Sequence, residues 1–156
     1  MPNPFAITLN SAASLAYVTN STVNSRISLC TISAGILLSC KFTGPAFIPA
    51  ASYVVVNSTS TFAYVSQSAS DQVWLCSVTS GILSSSCAAT GSLFNGPQGI
   101  ALSPDGALAY VANFGNNTVT VCSVNSSSGA LEDCAVAGSS FSGPFGLLVA
   151  NAFSTP

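Results

Sequence analysis

The chain has 156 residues, of which 4% are charged: two cations, four carboxylates, no histidine and a formal net charge of −2. Ordinary soluble domains carry about 25% charged residues, and two cations leave neither an electrostatic footprint for nucleic acid nor a polybasic segment for anionic lipid. Apolar residues reach 49%, yet Ser, Thr, Asn and Gly interrupt every apolar run well before the roughly 18 residues a membrane helix needs, so no membrane insertion is expected.

Alternation this short is strand chemistry, with a polar surface built of hydroxyls and amides rather than ions. So few ions favour association over colloidal solubility, which predicts an assembled protein. The opening MPNPFAITLN lacks a charged and then apolar leader, so either a leader has been removed or the chain is a piece of a longer one.

Taken in order, the chain is a repeat. Ala16-Tyr17-Val18, Ala63-Tyr64-Val65 and Ala109-Tyr110-Val111 recur at intervals of 47 and 46 residues; Cys30, Cys76 and Cys122 are spaced by 46, and Cys40, Cys87 and Cys134 by 47. Each copy resolves into four strands. The first is predicted at Phe5–Leu9, Leu15–Asn20, Arg26–Ile32 and Ile36–Phe42, and the second at Tyr53–Asn57, Thr61–Ser66, Gln72–Val78 and Ile82–Ala88. The third is predicted at Gly99–Ser103, Ala107–Asn113, Thr118–Val124 and Ala130–Ala135, with a Pro104-Asp105-Gly106 turn after its first strand. Val73-Trp74-Leu75-Cys76, apolar on both faces, suits a sheet packed between two neighbours. Gly143-Pro144-Phe145-Gly146-Leu147-Leu148-Val149 then repeats the lead-in of Gly96–Leu102, so a fourth copy begins, with a strand expected over Gly146–Ala150.

Four-stranded units of this length point to a β-propeller. Over Gly96–Val124 the run GPQGIALSPDGALAYVAN followed by NTVTV resembles the YVTN-type repeat of β-propellers, related to NHL and lactonase-like propellers, and Ala16–Asn20 (AYVTN) carries the namesake tetrapeptide. The second copy departs from it, with Asn57-Ser58-Thr59-Ser60 in place of the Pro-Asp-Gly turn. The expected fold is therefore all-β: propeller-like blades of four antiparallel strands, three blades plus the first strand of a fourth, in one repeat domain over 1–156. Blade 1 spans about 4–43, blade 2 about 50–90, blade 3 about 96–137 and the partial blade 4 about 143–156.

Six cysteines allow 15 pairings. The repeat separates them, because each copy places its two cysteines on successive strands either side of one loop, where an antiparallel hairpin brings Cβ atoms together. The expected bridges are Cys30–Cys40, Cys76–Cys87 and Cys122–Cys134. Buried thiols facing the next blade are the competing reading; a zinc site fits neither the spacing nor the lack of His. Bridges imply an oxidising compartment, outside the cell or on its surface. Asn20, Asn57, Asn116 and Asn125 each begin an Asn-x-Ser/Thr acceptor sequence for N-glycosylation.

Catalytic chemistry finds little support. Asp105 reads as a turn residue, Glu132 and Asp133 as a solvated edge, and Asp71 has no acidic counterpart in the other copies. The absence of His removes a Ser-His-Asp arrangement, no phosphate loop occurs, Arg26 and Lys41 read as surface cations, Trp74 occurs once, and the recurrent tyrosines read as packing between blades with a hydroxyl to satisfy. No catalytic, cofactor-binding or metal-binding residue is expected, and no cofactor. The sequence reading is a non-enzymatic extracellular structural or interaction module that completes its ring, or extends as a filament, by associating with itself, in part because three blades and a strand cannot close a ring alone. The alternatives are a piece of a lactonase-like propeller enzyme, which the resemblance implies would carry metal-binding or general-base groups near its channel, and a glycan- or small-ligand-binding propeller.

Overall fold

The structure is a computed structural model that describes residues 3–20, 26–46, 48 and 51–149. The residues from Ala150 onward, on which part of the expected fourth copy falls, lie outside the described residues, as do Ser21 and Thr22 of the first acceptor sequence.

Three four-stranded antiparallel sheets follow one another, each a simple meander. The first holds β1 (Pro4–Leu9), β2 (Leu15–Asn20), β3 (Ile27–Ser33) and β4 (Ile36–Thr43). The second holds β5 (Tyr53–Val56), β6 (Phe62–Gln67), β7 (Gln72–Thr79) and β8 (Ile82–Thr90), and the third β9 (Pro97–Leu102), β10 (Leu108–Asn113), β11 (Thr118–Val124) and β12 (Leu131–Gly138). The outermost strands run further than the sequence suggests, to Thr90 and Gly138, because these ends still find partners in Val73 and Val119. Ser68–Ser70 form a short 3-10 turn that no sequence signal announced. It is held where Gln67 Oε1 accepts bonds from Ser70 Oγ (2.7 Å) and Trp74 Nε1 (3.0 Å). Residues 144–149 form no ladder, although Gly99 lies so close to Phe145 and Gly146 that a Cβ there would meet the Phe145 carbonyl at 2.6 Å.

The turn between the first two strands of each blade is closed in two chemically different ways. Asn10 Oδ1 accepts from the N–H groups of Ser14 and Leu15 (both 2.9 Å), and Asn57 Oδ1 from Thr61 and Phe62 (both 2.9 Å). In the third blade Ser103 Oγ accepts from Leu108 N–H (2.9 Å) and donates to Asp105 Oδ1 (2.5 Å), which also takes the Ala107 N–H (3.0 Å). The degenerate second copy thus keeps the turn although it lost the motif, because Asx side chains bond their own backbone a few residues on.

The core lies between sheets rather than within one. Tyr17 and Ile27 of the first blade pack with Val54, Ala63, Val65, Cys76, Val78 and Leu83 of the second; Tyr64 and Val73 pack in turn with Ile100, Ala109, Val111, Cys122 and Leu131 of the third. Strands with two apolar faces require this stacking. At each junction the glycine of a blade's outer hairpin turn sits on the preceding blade. Gly81, at φ +80°, leaves no room for a Cβ beside Leu15, and a Cβ on Gly129, at φ +76°, would meet the Phe62 ring at 2.8 Å.

Cys30–Cys40, Cys76–Cys87 and Cys122–Cys134 are bridged, with Cα separations of 4.1, 4.4 and 4.1 Å, and no described cysteine is free. In blades 1 and 3 the ladder is irregular here, and the residue before the outer cysteine, Ser39 or Asp133, takes a left-handed conformation (φ 49° and 47°). That is how an extra bulge residue is absorbed. With every thiol used, a thiolate zinc site is closed off.

Two outcomes test these contacts. Gly81→Ala should destabilise by about 2–3 kcal/mol, left-handed backbone and overpacking combined. Gly35→Ala, at φ +75° in open space, should cost only the backbone part, about 1 kcal/mol. Urea titration under non-reducing conditions distinguishes them. In the same titration, replacing Cys76 and Cys87 together by Ser should lower stability by about 2–3 kcal/mol, as the chain-entropy account of a short loop predicts.

Candidate functional site

The innermost strands β1, β5 and β9 lie side by side in sequence order around a cavity of about 360 Å³. Its wall includes Ile7–Leu9, Tyr53–Val56, Ile100–Pro104 and Gly106, and Leu147–Val149 complete it. The segment after β12 therefore occupies the position of a fourth innermost strand. It reaches back to the first blade, where Phe145 contacts Phe5 with ring centroids 5.2 Å apart.

The hydroxyl residues Thr8, Ser11, Ser58 and Ser103 stand in this wall, and main chain adds to its polarity. In an antiparallel ladder alternate residues bond to the partner strand. Asn10 N–H bonds to Leu15 O (3.1 Å), Asn57 N–H to Phe62 O (3.0 Å) and Ser103 N–H to Leu108 O (2.8 Å), which sets the parity in each blade. The residues out of phase with them, Ile7 and Leu9, Val54 and Val56, Ile100 and Leu102, turn their N–H and C=O groups away from the second strand and towards the cavity. Three short β-edges thus present peptide donors and acceptors around one space. Sequence reasoning missed this site because main-chain groups leave no residue signature; the recurring lead-in with its Gly was the available signal.

The ionisable residues stand elsewhere. Asp105 is next to the cavity wall but tied into its turn, and the bonds from Ser103 Oγ and Ala107 N–H hold its carboxyl below the usual carboxylate value. Asp71, in a left-handed conformation (φ 53°), accepts the Gly96 N–H at 2.6 Å. Its counterpart in blade 3 is Asn117 (φ 58°), whose Oδ1 accepts the Gly143 N–H at 2.9 Å. Asp71 therefore does have an equivalent, in an amide rather than an acid, and both residues fix the lead-in of the next blade. Glu132 receives Asn125 Nδ2 (3.3 Å) and Asp133 receives Ser123 Oγ (3.4 Å), both on the outer strand β12. Lys41 lines a separate groove with Leu15, Leu29 and Ile82 between blades 1 and 2. The bridged cysteines sit on the outer hairpins. Among the described residues no group of three His, Cys, Asp or Glu could hold a metal ion.

The tyrosines make the junctions. Tyr17 Oη donates to Gly81 O (2.8 Å) and Tyr64 Oη to Gly129 O (2.7 Å), both phenols fully buried. Hydroxyls reinforce them: Thr19 Oγ1 donates to Ser52 O (3.0 Å), Ser66 Oγ to Gln98 O, and Thr43 and Thr90 accept the N–H groups of Leu83 (2.8 Å) and Leu131 (2.7 Å).

Meanders of four strands stacked face to face about inner strands that ring a cavity define a β-propeller. The chain belongs to a particular propeller family: residues 3–143 match the model of "Lactonase, 7-bladed beta-propeller". Among solved structures it is similar to a periplasmic gluconolactonase of Pseudomonas aeruginosa, at 19% identity and a TM-score of 0.71, covering 91% of this chain and 41% of that one. A putative 6-phosphogluconolactonase of Bacteroides fragilis gives 17% identity and a TM-score of 0.70, covering 92% of this chain and 40% of that one. The Kuenenia stuttgartiensis hydrazine synthase gives 23% and 0.69, covering 94% and 38%. No curated protein matches the chain. The chain thus spans about 40% of the length of the solved lactonases it resembles.

The match corrects the sequence reading. A non-enzymatic module that completes its ring or builds a filament by self-association was expected; the family found over nearly the whole described chain is an enzyme family instead. The physical reason for the error is that charged catalytic groups were sought within three blades, whereas these blades line the cavity with main chain and hydroxyl residues.

The junction tyrosines set an alkaline limit. Burial pushes the Tyr64 hydroxyl up from 10.0 to about 12 and raises Tyr17 as well. The unfolded chain therefore ionises first. Stability is complete below pH 10.0 and falls as the pH rises towards about 12. Tyr64→Phe should remove part of this pH dependence and cost about 1–3 kcal/mol at neutral pH, since it strands the Gly129 carbonyl. Urea midpoints measured across the alkaline range check both.

Proposed function

We propose that these blades belong to a lactone-hydrolysing enzyme of the secreted or cell-surface compartment, whose substrate is the cyclic ester of a sugar acid. The family match over residues 3–143 carries this reading. The names of the similar gluconolactonases support the substrate class, and three disulfides support the compartment.

The cavity suits such a ligand. A sugar lactone presents hydroxyls, which need both donors and acceptors, and an ester carbonyl whose oxygen gains negative charge when water adds to it. Fixed N–H groups on the inward edges of β1, β5 and β9 donate to that oxygen without reorganising, the arrangement that stabilises an oxyanion. The facing C=O groups accept from ligand hydroxyls. The cavity wall described above holds no carboxylate, imidazole or amine. These residues therefore bind and polarise, and proton transfer is not assigned to them.

Proton release from gluconolactone in weakly buffered solution tests the reading. The protein should open the lactone faster than buffer alone; a rate equal to the buffer's would sink the proposal. Thr8→Trp, which places an indole in the cavity wall, should lower the rate by roughly tenfold or more through lost positioning. Asp105→Asn should leave it unchanged.

A further inference from the structure

The four acceptor sequences for N-glycosylation find no use in lactone chemistry, and the fold treats them very differently. We propose that Asn116 is the acceptor for an N-linked oligosaccharide, singled out from Asn20, Asn57 and Asn125 by what the folded blades tolerate. The inference is independent of the lactonase reading.

Asn20 is 3% exposed, and its Nδ2 donates to Arg26 O (2.6 Å) and Ser28 Oγ (3.2 Å) at the end of β2. A sugar on that nitrogen would hold the end of blade 1 open. Asn57 Nδ2 spends its hydrogens on Thr59 Oγ1 (2.9 Å) and Thr61 Oγ1 (3.1 Å), while its Oδ1 closes the turn. Asn125 Nδ2 faces the Glu132 carboxylate, and its Oδ1 takes the N–H groups of Ser127 and Ser128 (both 3.1 Å). A sugar on either nitrogen leaves the Oδ1 bonds in place but displaces a side-chain bond, to Thr59 or Thr61 at Asn57 and to Glu132 at Asn125.

Asn116 is exposed, in the turn between β10 and β11. Its Oδ1 accepts the hydroxyl of Thr118, the third residue of the acceptor sequence, at 2.7 Å. Its Nδ2 has no hydrogen-bond partner among the described residues and faces solvent. A second observation concerns the neighbourhood. Phe114, two positions earlier, is 51% exposed and meets Phe145 edge-on at 6.4 Å, and Phe145 in turn meets Phe5. This is an exposed aromatic cluster on a protein with almost no surface charge. An oligosaccharide on Asn116 supplies the polar bulk that the sequence lacks there.

The transfer balances without a redox partner. Asn116 Nδ2 bonds to the anomeric carbon of an oligosaccharide carried on a polyprenyl diphosphate. The glycosyl C–O bond to the diphosphate breaks, the lipid diphosphate leaves with the electron pair, and the amide releases one proton. Because the chain is modified as it enters the secretory compartment, the fold selects afterwards, through the species that pack and form their bridges.

The chain secreted from a host that performs N-glycosylation provides the test. Enzymatic glycan release in heavy-oxygen water converts each occupied Asn to a labelled Asp, which peptide mass spectrometry locates. Folded, fully bridged protein should be labelled at Asn116 alone, and Asn116→Gln should lose one glycan by intact mass with its melting temperature unchanged. An unlabelled Asn116 in that folded protein, or label at Asn20, Asn57 or Asn125 with the bridges intact, overturns the assignment. The wild-type map decides the matter without the variant.

Discussion

A phenol hydroxyl on the second strand of one sheet, held by the carbonyl of a glycine in the outer hairpin of the next, fixes how meanders with a shared apolar core stack on one another. Tyr17 and Tyr64 do this with no solvent exposure. The bond demands three things at once. The glycine must be left-handed so that its carbonyl turns outwards, it must lack a Cβ so that Leu15 or Phe62 can close over it, and the tyrosine must be dry so that the unmade bond is expensive. The disulfides act on the same hairpins. They tie the turn that receives the phenol to the strand behind it, so that junction and staple stabilise one element.

The third blade departs from this scheme in a consistent way. Thr19 and Ser66, which reach the next blade's lead-in, correspond to Ala112; Thr43 and Thr90, which accept the next blade's hairpin N–H, correspond to Ala137. Tyr110 is half-buried where its counterparts are fully buried, and Leu108 is 37% exposed. What persists on this side is the grip at the other end of the sheet, where Asn117 holds Gly143 as Asp71 holds Gly96.

The blades were legible in the sequence because their markers obey one period: tyrosines, cysteines and turn residues in phase can only be a structural repeat. The turns were legible in part. Pro104-Asp105-Gly106 announces itself, whereas Asn57 performs the same closure behind a sequence that looks unrelated. Asp71 has no acidic counterpart, but its position requires only a left-handed residue with a side-chain acceptor, and Asn117 meets that equally well. The cavity was not legible at all. Much of what it offers is peptide, set by ladder parity and by the angle between sheets, and no side chain at 7, 54 or 100 records it. Searching residues for chemistry therefore returned a structural protein where the family is enzymatic.

The junction bonds lie far from the axis. Gly81 and Gly129 are in the outer hairpins, while the inner strands meet with few side-chain hydrogen bonds of their own. Adjacent sheets are therefore held at both ends, inner strand against inner strand at the hub and tyrosine against glycine at the rim. The angle between sheets, and with it the width of the central space, thus depends in part on residues that never touch it.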